Sequence, residues 1–374
     1  MELIQLRNIQ AILFGILSLA SYGQAQIDVN TNEAIVNLPS YSVSWSNDRT
    51  TLAIGVHEAN DNGTKSGHVR VYKNNSGVWN QVGADINGET VGDWSGYSVS
   101  LSSNGEIVAI GAMHNHGRNG ENSGHVRVYK NNSGIWKQVG ADIDGEAEDD
   151  WSGYSVSLSG DGATVAIGAV LNSGNGTNSG HVRVYKNISG IWTQIGENIN
   201  GKGVKDYFGA SVSLSNDGTT VAIGAHQGGA PSGGYVSIYM NILGNWEQIG
   251  DDIVGEPTDN SFSGWNICLS NDGSTVAIGA YMNNDEGIRY SYVRAYQNKF
   301  NAWMQRGADI DGKASGYNLS GFNNISLSGN GTITLIGAYE KNSNNNEHKP
   351  AINYVRVYKY KDNPNIWAQI NTNI

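Results

Sequence analysis

SGYSVSLSGDGATVAIGAVLNSGNGTNSGHVRVYKNISGIWTQIGENI, Ser152 to Ile199, is the stretch whose reading decides the fold. It divides into four strand-like pieces: SGYSVSLS to Ser159, ATVAIGA to Ala169, GHVRVYK from Gly180 to Lys186, and IWTQIGENI to Ile199. GDG at Gly160 to Gly162 and NISG at Asn187 to Gly190 separate them with residues that tolerate the positive φ of tight hairpins. Hairpin connections make neighbouring strands antiparallel. Because side chains alternate along a strand, Val182 and Val184 share one face while His181, Arg183 and Tyr185 share the other. Ala166 and Gly168 leave room for another backbone to approach. Neither face reads as solvated, so such a sheet must be covered on both sides.

The same stretch recurs. The tryptophan of its last piece returns as Trp79, Trp136, Trp192, Trp246, Trp303 and Trp367, spaced by 57, 56, 54, 57 and 64 residues. Six copies follow, at about 41–94, 95–151, 152–207, 208–261, 262–318 and 319–374. A four-stranded sheet repeated at near-constant period and covered on both faces is satisfied by stacking sheets radially around an axis. The expectation is an all-β β-propeller of six four-stranded blades over 41–374, with seven blades as the runner-up. A linear β-solenoid has shorter, parallel rungs, and the hairpins count against it. Residues 26–40, ending near AIVNL, are expected to add a ring-closing strand.

Composition agrees. Glycine is 50 of 374 residues against 5 prolines, which reads as repeated turn chemistry, and only 15% of the chain is charged. The net charge of -11 excludes a nucleic-acid partner, which requires a basic face. Arg7, an apolar run from Ile9 to Ala20, and small residues Gly23 and Ala25 spell a secretory signal peptide over 1–25. That run is too short to span a bilayer, so the expected location is secreted or on the outer cell surface, without a transmembrane segment. The single cysteine, Cys268, excludes an internal disulfide and reads as a small buried side chain.

FGASVSLSNDGTTVAIGA, Phe208 to Ala225, opens on Phe-Gly and closes on Gly-Ala, and resembles the FG-GAP repeat of integrin-type propellers. The resemblance is closer still to a bacterial exported subfamily that pairs a VAIGA strand with a VYVY-like strand and a W-x-Q-[IV]-G strand, here HVRVYK and WTQIG. It implies the propeller fold and export. Integrin-type repeats also carry a calcium loop, D-x-[DN]-x-D-G. Here the corresponding turns, such as SSNG, SGDG, SNDG and SGNG, hold at most one carboxylate each, too few for calcium. The family's calcium site is therefore not carried over, and no cofactor is expected.

Function is expected in the loops. The junction between the second and third copies holds Asp142, Asp144, Glu146, Asp149 and Asp150, weak candidates for a metal such as calcium; no copy reproduces a full ligand spacing, so the reading preferred here is a solvated acidic loop. His68, His125 and His181 occupy one repeat position and read as packing residues, while His114 and His116 carry a weak metal signal. Trp94, Trp151 and Tyr207 share a position where rings either grip a sugar or peptide ligand or pack between blades. The six repeated tryptophans read as structural. With carboxylates and histidines recurring as copies, no catalytic set and no cofactor site stands out, so the expectation is a non-catalytic binding or adhesion module for a protein or glycan ligand. Two alternatives stand beside it: a carbohydrate-active propeller enzyme, hydrolase or lyase, and a structural component of a surface assembly.

Overall fold

A computed structural model describes residues 42–228, 233–255, 262–283, 289–311, 318–319, 325–340 and 352–370. Both the expected signal peptide and the expected ring-closing strand lie outside these. None of the described residues forms a helix long and apolar enough to cross a membrane.

The protein is an all-β propeller of six antiparallel sheets, one per sequence repeat, each with its strands in chain order. The third repeat runs Ser152–Leu158, Thr164–Ala169, His181–Ile188 and Ile191–Gln194. A feature the sequence reading passed over is a break in the fourth strand. After Gln194 the chain turns at Gly196 (φ 70°), and a two-residue piece, Ile199–Asn200, resumes pairing on the third strand opposite His181 and Val182.

The core lies between blades. Ala166, Val182 and Val184 of the third repeat pack on Leu214, Val221 and Ile223 of the fourth; on the other side Val156, Leu158, Val165 and Ile167 meet Val126 and Val128 of the second.

Three sets of hydrogen bonds fix blade to blade. In the first strands, the hydroxyls of Ser42, Ser98, Ser155 and Ser211 donate to the carbonyls of Gly96, Gly153, Gly209 and Gly264, each in the next repeat, at 2.7–2.8 Å. Two residues further on, Ser44, Ser100, Ser157 and Ser213 accept the N–H of Leu101, Leu158, Leu214 and Leu269. Cys268 takes this serine's place and accepts from Leu327 N–H at 3.4 Å, a role beyond the packing expected of it; burial pushes its thiol pKa up.

The repeated tryptophans form the second set. The indole N–H groups of Trp136, Trp192, Trp246, Trp303 and Trp367 donate to the carbonyls of Val82, Val139, Ile195, Ile249 and Arg306, each in the preceding repeat, at 2.6–2.9 Å. Every acceptor precedes the glycine that breaks its fourth strand. A Cβ on Gly140 would lie 3.0 Å from Cδ1 of Trp192, so the W-x-Q-[IV]-G motif encodes a socket for the next repeat's indole. Trp79 of the first repeat meets Trp45 edge-on at 5.4 Å.

The third set surrounds the axis. At the turn after each first strand, N–H groups donate to the next repeat's carbonyl in sequence, Asn47 to Ser103, Ser103 to Gly160, Gly160 to Asn216, Asn216 to Asn271 and Asn271 to Gly329, at 2.7–2.9 Å. Asn47 and Ser103 also reach Asn216 Oδ1, at 3.4 and 2.7 Å, so side chains of the first, second and fourth repeats plug this end of the axis. A Cβ on Gly160 would come within 2.0 Å of that oxygen, so a larger residue there would have to displace the Asn216 amide.

In these turns Asp161 Oδ1 accepts from Ser159 Oγ (2.6 Å) and Ala163 N (2.8 Å), and Asp217 and Asp272 repeat the arrangement. Burial opposes ionisation of Asp217 and Asp272, but the serine and backbone donors outweigh it and hold both below the usual carboxylate range. Each carboxylate is committed to its own turn. Calorimetric titration with calcium is accordingly expected to give no stoichiometric binding at Asp161, Asp217 or Asp272; tight sites abolished by Asp→Asn changes there would refute this.

Candidate functional site

At the opposite end of each blade lie the loops joining second to third strands and the junctions joining repeats. Buried aspartates shape these junctions. Asp93 accepts the N–H groups of Glu89 and Thr90, Asp150 that of Ala147, and Asp206 those of Lys202 and Gly203. Asn115 and Asn172 reach from the next repeat's loop to Asp93 and Asp150, at 3.1 and 3.0 Å, and Tyr235 O–H donates to Asp206 at 2.7 Å. Asn62, Asn119 and Asn175 tie their loops to the carbonyls of Gly88, Gly145 and Gly201. These loops vary in sequence, yet each is locked to its neighbour.

Between the first and second repeats, this scaffold holds open a cleft of about 550 Å³. Glu89, Asp142 and Asp144 supply carboxylates to its wall, His116 and Arg118 supply donors, and Thr90 and Asn115 complete the polar lining. Arg127 stands against it, contacting Glu89 and lying 3.2 Å from Asp142 Oδ1 through Nε. Asp142 is further braced by Gln138 at 2.6 Å. Buried behind them, His125 turns Nδ1 toward Asp142 at 3.8 Å, and burial lowers its pKa against the pull of Asp142. His116 Nδ1 accepts the N–H of Asn122 at 3.1 Å, which leaves the ring proton on Nε2.

An arc of rings runs across the same face. Trp94 stacks on His57 at 4.9 Å and meets His114 edge-on at 4.6 Å; His114 in turn meets Trp151 at 5.0 Å. Tyr207 stacks on His226 at 5.4 Å, and His226 meets Trp265 at 4.3 Å. Trp94, Trp151 and Tyr207 adopt φ of 57°, 57° and 52°, a region bulky residues rarely enter. Burial lowers the pKa of His57 and of His226 to about 4.

The five acidic candidates do not converge. Asp142 and Asp144 face the cleft, Glu146 lies 3.6 Å from His181 at the next junction, Asp149 accepts from Asn122 Nδ2, and Asp150 is buried on Ala147 and Asn172, with burial raising its pKa. Sequence reasoning missed Arg118, Arg127 and the part played by His116 and His125. A signal was present: fifteen residues after the repeated arginine stands Asp85, then Asp142, then Asn198, so equivalent positions carry different chemistry.

Residues 142–185 match the FG-GAP repeat family, in accord with the resemblance drawn from the motifs. The whole chain is similar in fold to the periplasmic gluconolactonase of Pseudomonas aeruginosa, at 12% identity over 91% of this chain and 87% of that one, with a TM-score of 0.54. It is likewise similar to proteins provisionally assigned as 6-phosphogluconolactonases from Bacteroides uniformis (14% identity, 92% and 87% covered, TM-score 0.56) and Bacteroides fragilis (12%, 92% and 86%, 0.56). No curated protein sequence matches. These neighbours overturn the expectation of a non-catalytic binding or adhesion module without enzymatic activity, since each carries the name of a lactone-hydrolysing enzyme. The physical flaw in that expectation was to treat repeat copies as equivalent. Glu89, Arg127 and Asp142 meet in one junction, whereas the next offers Glu146, Arg183 and Asn198.

Proposed function

We propose that the protein is a propeller hydrolase acting on a sugar-derived ester, of which an aldonolactone is the simplest, in the cleft between its first and second repeats. The observation that carries this reading is the meeting of carboxylates with imidazole and guanidinium donors on the wall of one 550 Å³ cleft, a size suited to a monosaccharide-scale ligand. Asp144 takes a proton from the attacking water as its oxygen bonds to the ring carbonyl carbon. His116 Nε2–H and Arg118 donate to the oxyanion that develops. The ring C–O bond then breaks, and the proton returns from Asp144 to the departing alkoxide. Names borne by solved structures of the same fold support the substrate class, and the segment 1–25 supports export, so that substrate would be met outside the cytoplasm.

Titrating acid release from glucono-δ-lactone in a pH-stat tests the proposal. Turnover well above spontaneous hydrolysis is expected, with Asp144→Asn lowering kcat/KM by about 10² to 10⁴ and Arg118→Ala by about 10². Absence of turnover on aldonolactones and simple sugar esters, or full activity in Asp144→Asn, would defeat it.

A further inference from the structure

Two clusters on the loop face, the second of them in the wall of the cleft itself, share one composition. In the first repeat His68 contacts Asp61 through Nδ1, and Asp85 stands beside them; the second set joins Glu89 of the first repeat to His125 and Asp142 of the second. In each, one imidazole nitrogen and two carboxylate oxygens lie within 4.8 Å of one another. Both imidazoles are almost fully buried, at 2% and 3% exposure, and His68 Nε2 is buried with no hydrogen-bond partner among the described residues. Two carboxylates brought this close favour a cation beside them, and one guanidinium already stands at each pair, Arg70 at Asp85 and Arg127 at both Glu89 and Asp142. Arg70 and Arg127 hold Asp85 and Asp142 at 2.9 and 3.2 Å through Nε, as the outer partners that orient ligating carboxylates do.

We infer that each cluster binds one divalent transition-metal ion of the zinc class, through one histidine nitrogen and two carboxylates, with water completing the shell. A donor set of one nitrogen and two oxygens suits zinc and excludes calcium, which takes six to eight oxygens. The following repeats mark the limit of the arrangement. His181 has Glu146 at 3.6 Å, but Asn198 replaces the second carboxylate and donates to Glu146 at 2.9 Å; in the fourth repeat Tyr235 replaces the histidine. The count expected from the described residues is therefore two ions. The inference is independent of the hydrolase reading, because its readout is metal content.

The full chain, stripped with chelator and titrated with zinc in a calorimeter, is expected to bind two equivalents, with metal analysis after dialysis agreeing. His68→Ala and His125→Ala each reduce the count by one, the double variant abolishes binding, and His181→Ala leaves it at two. Should a histidine variant misfold, Asp85→Asn and Asp142→Asn, which keep the shape, are expected to weaken one site by on the order of tenfold or more. Cobalt substituted for zinc should give the visible absorption of a four-coordinate centre. No stoichiometric binding, or binding unchanged in His68→Ala/His125→Ala, overturns the inference.

Discussion

Taken from pH 7 to pH 4, the protein is expected to lose about 6 kcal/mol of stability through two histidines alone. His57 and His226 are 4% and 6% exposed, and burial is the first cause of the fall in each pKa to about 4. Glu58 opposes that fall at His57 while Lys65 and His114 assist it; burial is the cause at His226. An unfolded histidine titrates near pH 6.5, so the unfolded chain binds these protons first. The contribution is complete above about pH 6.5 and is lost as pH falls toward 4, at about 1.4 kcal/mol per unit for each ring. His181, whose pKa burial and Arg183 lower, adds to the loss. Below that range Asp48, Asp217 and Asp272, held low in their turns, begin to protonate and extend it. Denaturant melts across this range should show stability falling from pH 6.5 downward, and His57→Gln should flatten part of the slope. A level profile from pH 7 to 4.5, or resonances of His57 and His226 titrating near 6.5 in the folded state, would contradict this.

Replacing Trp192 by alanine is the second large effect, a loss of about 3 to 5 kcal/mol. The indole packs on the core between the second and third blades, donates to Val139 and covers Gly140. Truncation removes apolar area, leaves the Val139 carbonyl without that donor, and opens the socket. Because the lost contact joins two blades, melting should broaden as neighbouring sheets uncouple. Trp192→Phe should recover the packing and not the hydrogen bond, falling between the two. A Trp192→Ala protein that melts with the parent would show that the indole does not brace the ring.

The fold was legible because its determinants are local and repeated six times. SVSLS supplies both apolar and stitching residues of the inner strand, and W-x-Q-[IV]-G supplies indole and socket together. The strand break at Gly196 escaped notice because its cause, the next repeat's indole, lies about fifty residues downstream. The cleft was illegible for a related reason. Glu89 meets Arg127, and Arg183 meets the carbonyl of Asp144, through contacts between repeats. His116 and Arg118 acquire meaning only from the junction they face. Trp94, Trp151 and Tyr207 share one position in the sequence, but only coordinates show them in ring contact with histidines, in a conformation that propensity disfavours.

The indole and its socket have an evolutionary corollary. The second to sixth repeats each present a tryptophan to the repeat before, and the first to fifth each present a glycine-marked carbonyl to the repeat after, so the second to fifth units carry both mating halves of the same joint. A gene segment encoding one whole repeat can then be duplicated or deleted in frame without inventing a new interface. The inserted tile joins its neighbours by contacts already present in the parent. Ring size in this architecture is thereby open to unequal recombination, while point substitution remains free to make any one junction chemically unlike the rest.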